Sequence, residues 1–226
     1  MGRPVRHAEA TILESAKRLS AEIGPHRLTI AAVAARSGAP VGSIYHRYAS
    51  RDEILAAVWL DLVEQVQEHF LAELEGGEPV KAGLAGVRQS LRWIRGHPLE
   101  ARLMLLHRRE DFAAERWPGS YQRRAEVLAA KAGESFQRYA ARLLGRGGPL
   151  ELRTVRFVLV DLPMAAFKRD IEAGVSPSRS VEALLLDTCE HALRRARTRH
   201  RRESGGKDGP RGDSRSRGRL YADPLR

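Results

Sequence analysis

The chain has 226 residues, 42% of them hydrophobic and 30% charged, with a formal net charge of +11. That is enough to bury a core without disulfides or metal. One cysteine, Cys189, excludes an internal disulfide and any multi-cysteine zinc site. No run approaches the roughly 18 apolar residues of a membrane span, and the first residues lack a signal-peptide core. The expected compartment is the cytoplasm, with no membrane partner.

The charge is uneven. Residues 1–51 carry eight Lys/Arg against three Glu, and residues 194–226 carry twelve Lys/Arg against four Asp/Glu. The stretch between them is slightly acidic. A basic head and tail around a near-neutral body is the pattern of a protein that meets a polyanion with part of its surface. Arginine outnumbers lysine 34 to 5, so compositional bias contributes, and each Arg is not thereby a phosphate ligand.

The periodicity is helical almost throughout, which predicts an all-α fold of about nine helices. Ile12, Leu13, Ala16, Leu19 and Ile23 make a first apolar stripe, ended by Gly24-Pro25. Two short segments follow, Thr29–Ser37 and Val41–Tyr48, separated by Gly38-Ala39-Pro40. Ser50 and Glu53 read as a capping box, in which Glu53 reaches back to the Ser50 amide. The helix it opens carries Ile54, Leu55, Val58, Leu62, Val66 and Phe70 and stops at Gly76-Gly77. At about 1.5 Å per residue it is roughly 35 Å long, enough to link two subdomains.

Leu84, Val87, Leu91 and Ile94 mark the next helix, and Gly96-His97-Pro98 closes it. A short helix spans 99–107, and a long one spans 120–144 after the Trp117-Pro118-Gly119 break. A helix over 150–172 contains Pro163, which should kink it or leave a carbonyl unpaired. Another is expected over 177–198, with Ser176 as N-cap and Pro177 at its first position. Beyond about His200 the composition predicts a disordered basic tail, 201–226.

Residues 29–48 read as helix, tight turn, helix. Ala34 is the small residue at the crossing and Gly38 the left-handed turn residue. Ile44 is the inward anchor of the second helix, with Ile30 and Val33 beneath. This is the spacing of a DNA-binding helix-turn-helix. With Ile44 inward, Val41, Gly42, Ser43, Tyr45, His46 and Arg47 are the candidates to face outward. Val41 suits a thymine methyl group, and Ser43 and His46 suit bases or phosphates. Tyr45 and Arg51 suit phosphates, and Thr29 caps a helix whose free amides can meet one. Without a ligand the same pattern is a plain αα-hairpin.

The string Leu28-Thr29-Ile30-Ala31-Ala32-Val33-Ala34-Ala35-Arg36-Ser37-Gly38-Ala39-Pro40-Val41-Gly42-Ser43-Ile44-Tyr45-His46-Arg47-Tyr48, continued by Ser50-Arg51-Asp52-Glu53-Ile54-Leu55, resembles the N-terminal domain of the TetR family of bacterial transcriptional regulators. The resemblance spans residues 8–55. It implies a helix-turn-helix domain over 1–50 and a helical effector-binding and dimerisation domain over 51–200. It places phosphate contacts on Thr29, Tyr45 and Arg51, and base reading near Val41, Gly42, Ser43 and His46. Ala31 stands where some members carry a basic base-reading side chain.

The resemblance also implies a homodimer on palindromic double-stranded DNA, made by the last two long helices. Val155, Leu159 and Leu162 on one, and Leu184, Leu185 and Thr188 on the other, are the candidate contacts. A small-molecule effector is expected near Trp59, Trp93, Met104, His107, Trp117, Tyr121 and Phe136, although aromatics at helical spacing more often form core. The implied function is a repressor released from its operator by that effector.

No phosphate-binding Gly loop, nucleophile elbow or His-Glu-x-x-His motif occurs, so no enzyme, cofactor or metal is expected. Two other readings remain open at the level of sequence. One is non-specific DNA binding through the basic tail. The other is a helical small-molecule-binding protein with a vestigial helix-turn-helix.

Overall fold

The computed structural model describes residues 5–112 and 117–205. Its elements are α1 (Val5–Ile23), a 3-10 turn (Pro25–Arg27), α2 (Ile30–Ser37), α3 (Val41–Tyr45), α4 (Arg51–Glu75), α5 (Pro79–Gly96), α6 (Pro98–Leu106), a second 3-10 turn (Arg109–Phe112), α7 (Gly119–Leu144), α8 (Pro149–Arg156), a π-helical turn (Phe157–Asp161), α9 (Leu162–Glu172) and α10 (Arg179–Gly205). Because α8, the π turn and α9 follow without a break, the described residues form nine continuous helices and no strand. The fold is all-α, as the periodicity requires.

Both ends of the last helix differ from expectation. Ser176 and Pro177 do not start the last helix; they lie in the loop before it, and α10 begins at Arg179. Pro177 is buried, and its carbonyl accepts a hydrogen bond from Arg95 Nη2 at 3.2 Å. That anchor holds the proline outside the helix. At the other end α10 runs to Gly205, beyond the expected stop. The rest of the expected basic tail lies outside the described residues.

The chain divides into two compact units, each built from separated segments. The first holds residues up to 69, 90–131 and 167–177. Its core starts from Ile12, Ala16 and Leu19 of α1, Val33 and Ala34 of α2 and Ile44 of α3. These pack with the first turns of α4, where residues 54–60 are buried without interruption. A helix buried on every side must be apolar all round, and the run Ile-Leu-Ala-Ala-Val-Trp-Leu meets that demand. Trp59 continues the core to Phe112, with ring centroids 5.0 Å apart.

A polar network also ties α1 to α4. Lys17 is 8% exposed, and its ammonium lies 3.1 Å from Asp61 and 3.3 Å from Glu14. Gln65 Nε2 donates to the same Asp61 oxygen at 2.8 Å. Burial alone would lower the Lys17 pKa, but the bond to Asp61 and the nearby carboxylates hold it above its ordinary value. Here the cost of burying a charge is offset by a partner that also makes its own second bond.

Among the described residues, the second unit holds 70–89, 132–166 and 178–205. Its tightest point is Gly83 of α5. A Cβ there would run into the Tyr139 hydroxyl and stand 3.1 Å from Leu193 and 3.2 Å from Leu159. Tyr139 is itself fixed, buried and donating to the Pro79 carbonyl at 2.9 Å. Arg142 of α7 closes the end of α4 by donating to the carbonyls of Leu74, Gly76 and Gly77 at 2.7, 2.9 and 2.6 Å. Glu78 then accepts from the Lys81 amide and pairs with Arg197 of α10.

The π turn explains how Pro163 is accommodated. The Leu162 N–H reaches back five residues to the Phe157 carbonyl. Continuing that pattern would bring residue 163 to the Val158 carbonyl, but proline has no N–H to give. The buried Cys189 thiol of α10 donates to the Val158 carbonyl instead, at 3.3 Å. A thiol is a weak donor, yet a buried carbonyl with no partner costs about 1–3 kcal/mol. The lone cysteine is therefore a structural plug, and burial pushes its pKa up to about 11.

Two outcomes follow. Gly83→Ala should destabilise the protein by about 1–3 kcal/mol through overpacking, read as a lower denaturant midpoint. Cys189 should resist a water-soluble thiol reagent at about pH 8 in the folded state and react fully in denaturant, because a buried, protonated thiol is a poor nucleophile. Fast reaction of the native protein would contradict the plug assignment.

Candidate nucleic-acid interface

The turn between α2 and α3 sets the site. Thr29 precedes α2 in an extended conformation, and its Oγ1 accepts the Ala32 N–H at 3.1 Å. At the other end Gly38 has φ 68°, and its N–H donates to the Ala34 carbonyl at 3.0 Å. That left-handed cap suits glycine. The Ser37 hydroxyl accepts the Ala39 N–H at 3.2 Å and stiffens the same turn. Pro40 then starts α3, its carbonyl accepting the Ser43 and Ile44 amides at 2.9 and 3.2 Å.

Ile44 is fully buried and Ala34 lies beneath it in the same core. The rest of α3 must then point away. Val41 is 45% exposed, Tyr45 53%, and Gly42 and His46 are exposed as well. Ser43 is half-buried. A Cβ built on Gly42 meets nothing within 4 Å, so open space lies over that position. Five of the eight expected positions are thus exposed: Thr29 before α2, and Val41, Gly42, Tyr45 and His46 on or just after α3.

The two arginines behave differently from a simple outward reading. Arg47 folds back along α3. Its Nη1 donates to the Ser43 carbonyl at 2.9 Å, and its Nε is buried without a partner. The chain leaves α3 after Tyr45 to bury Tyr48, and Arg47 lies back over the Ser43 carbonyl. Arg51 Nη2 donates to the carbonyls of Pro25 and His26 at 3.1 and 3.0 Å. It therefore ties the start of α4 to the turn before α2, with its side chain 35% exposed. Ser50 caps α4 by accepting the Glu53 N–H at 3.2 Å, but Glu53 reaches the Ala49 amide, at 2.8 Å, rather than that of Ser50. Burial of Tyr48 pushes its pKa up to about 12, so this residue is a neutral part of the turn.

The expected effector residues do not form one group. Trp59, Met104, Trp117 and Tyr121 belong to the first unit's core cluster. His107 meets the edge of Phe112 there, with centroids 6.2 Å apart. Trp93 is buried and stacks on His97, with ring centroids 5.2 Å apart. Phe136 lies in the second unit against Phe70, 5.7 Å away. Arg109 is committed locally: it stacks over Trp117 at 4.5 Å and donates to Gln122.

Sequence reasoning missed the pivot of this cluster. Phe112 is fully buried at the end of a polar run, His-Arg-Arg-Glu-Asp, that carries no periodic signal. Asp111 beside it accepts the Arg108 N–H at 2.8 Å and lies 3.3 Å from His26 and 3.6 Å from His107. Burial would raise its pKa, but those donors hold it below its ordinary value.

Of the candidate dimer contacts, Val155, Leu159 and Leu185 are buried in the core of the protomer itself, which makes them unavailable to a second copy. Leu162 is half-buried, and Thr188 and Leu184 are exposed, Leu184 at 68%. The signal for the buried set was real, but the core claims it. The large exposed apolar residues of the same helices are Leu150, Phe157, Met164, Val181 and Leu184.

No helix among the described residues is long and apolar enough to cross a membrane. Those residues also contain no group of three or more His, Cys, Asp or Glu arranged to hold a metal ion. Comparison with curated proteins finds no match. The family model of bacterial regulatory proteins, tetR family, matches residues 12–58. Among solved structures, a tetR-family assigned protein from Shewanella sp. PV-4 superposes with a TM-score of 0.64 at 18% identity, covering 86% of this chain and 98% of its own. A TetR family transcription regulator from Marinobacter aquaeolei VT8 gives 0.64 at 16% identity, covering 83% and 95%. The TetR family transcriptional regulator PfmR from Thermus thermophilus gives 0.61 at 19%, covering 81% and 97%. At such identities the likeness speaks for the fold, and the family match speaks for the helix-turn-helix. Residues 12–58 thus match the family model of bacterial regulatory proteins, tetR family, on a chain whose fold is that of the TetR-type structures compared.

Proposed function

We propose that the protein is a homodimeric repressor that binds a palindromic operator and leaves it when a small-molecule effector binds. The observation that carries the DNA-reading part is the α2–α3 geometry: a left-handed Gly38 turn, a buried Ile44 and an exposed face of Val41, Gly42, Tyr45 and His46. Thr29 and Tyr45 would hold the phosphate backbone. Val41, Gly42, Ser43 and His46 would meet base edges. Arg51 would act mainly by fixing the start of α4 to the turn before α2.

The dimer reading is supported by apolar side chains left in solvent on two neighbouring elements of the second unit. Leu150 and Phe157 stand seven residues apart on one, and Val181 and Leu184 on α10, with Thr188 one turn further. Exposed leucine and phenylalanine on long helices are the usual material of an isologous four-helix interface. The effector would be an apolar or amphipathic molecule engaging the cluster of Trp59, Met104, His107, Trp117 and Tyr121. Its differential affinity for two states of the dimer would shift the spacing of the recognition helices. On this reading residues 51–200 serve effector binding and dimerisation.

Selection of bound fragments from a random DNA pool at physiological salt tests the whole reading. A palindrome with half-sites about one helical turn apart is expected. Binding without a consensus, collapsing with salt, would point to the basic tail instead. Tyr45→Phe should weaken binding on every sequence by about three- to tenfold. Substitution of Ser43 should alter which sequence is preferred. Leu184→Asp together with Phe157→Asp should give a monomer by sedimentation and lower operator affinity at least tenfold, while the helical content stays unchanged.

A further inference from the structure

We infer that Val41 reads a thymine methyl group, and that this apolar contact sets the preferred base at one position of each half-site. The inference rests on the reading of α3 as the helix that enters the major groove.

Three observations carry it. The first is exposure: a β-branched apolar side chain stands 45% in solvent at the start of α3, on the face that Ile44 leaves outward. Covering it is favourable only against another apolar group. In the major groove guanine, adenine and cytosine show hydrogen-bonding atoms, and the one apolar projection is the C5-methyl of thymine. Pressing Val41 against a polar edge would strip water from that edge and return no bond.

The second is the lack of a two-pronged polar reader nearby. The stretch Val41-Gly42-Ser43-Ile44-Tyr45-His46-Arg47 contains no Lys, Asn or Gln and a single Arg. That Arg47 is bonded to the Ser43 carbonyl, with its Nε buried. Each two-nitrogen edge of the guanidinium that could pair with guanine therefore has one member already bonded or buried. Ser43 and His46 each offer a single-point contact, which discriminates less.

The third is room. Gly42 has nothing within 4 Å of where a Cβ would stand. Ala31 and Ala35 of α2 are exposed and bring no polar group to the same surface. A base pair can thus come close enough for the Val41 methyls to touch a C5-methyl.

The test uses the full chain and a duplex enriched from a random-sequence pool. Each thymine is replaced by deoxyuridine, symmetrically in both half-sites, which removes a methyl group and no hydrogen-bonding atom. Affinity is read by fluorescence anisotropy. One symmetric pair of positions should lose about fourfold per methyl removed, the value expected for one buried methyl. In Val41→Ala, thymine and deoxyuridine at that pair should bind equally, while other positions respond as in the wild type. If no position responds to methyl removal, or if the responsive position responds equally in Val41→Ala, the assignment is overturned. An enriched palindrome that ignores methyl removal defeats the methyl contact alone. Failure to enrich any duplex defeats it together with the regulator reading.

Discussion

Burial of Ile44 decides which way the recognition helix faces. With only five residues, α3 has little helical stability of its own. Its direction is held by what surrounds it: Ile44 below, the Gly38 turn before it and buried Tyr48 after it. A fully buried isoleucine contributes about 1.5–3 kcal/mol, enough to suppress a rotated α3 more than tenfold. The core beneath is continuous with the first turns of α4, whose Ile54 to Leu60 are buried on all sides. Arg51 adds a clamp from the start of α4 to the carbonyls of Pro25 and His26. The exposed face of α3 is thus a consequence of packing several residues away.

Much of this was legible in the sequence because it depends on local chemistry. Gly38 marks a positive φ, Thr29 and Ser50 mark helix starts, and the Ala34–Gly38–Ile44 spacing marks the crossing. The helix ends at Gly24, Gly76 and Gly96 were legible for the same reason. What was not legible depends on long-range partners. No pattern says that Arg47 bends back onto Ser43, or that Arg51 finds the carbonyls of Pro25 and His26. Ser176-Pro177 carries a sound helix-start signal, yet a bond from Arg95 to the Pro177 carbonyl moves the start of α10 to Arg179. Phe112, at the centre of the aromatic cluster, sits in a polar run where periodicity is silent.

The last helices show the same limit in another form. Val155, Leu159 and Leu185 carry the apolar signal that a dimer seam would carry, but the protomer buries them. Helical periodicity marks a face that must be covered and does not say by what. Pro163 was legible as a disturbance, and its resolution was not. A widened turn plus one thiol from α10 accommodate it, Cys189 giving the Val158 carbonyl the donor that proline lacks.

The arginines of the basic head have a consequence for how the protein feels ions. Lys17 is paired with Asp61 and Glu14, Arg18 with Glu14, and Arg36 makes two 2.7 Å bonds to Glu22. Arg47 and Arg51 are pinned to backbone carbonyls. Few of the charges in residues 9–51 remain at liberty to displace counterions from DNA. On the proposed reading, backbone amides and the Thr29 and Tyr45 hydroxyls would hold phosphate without displacing one counterion per contact. The electrolyte dependence of specific binding should therefore be shallower than the formal charge of the domain suggests, and its steep component should trace to the chain termini.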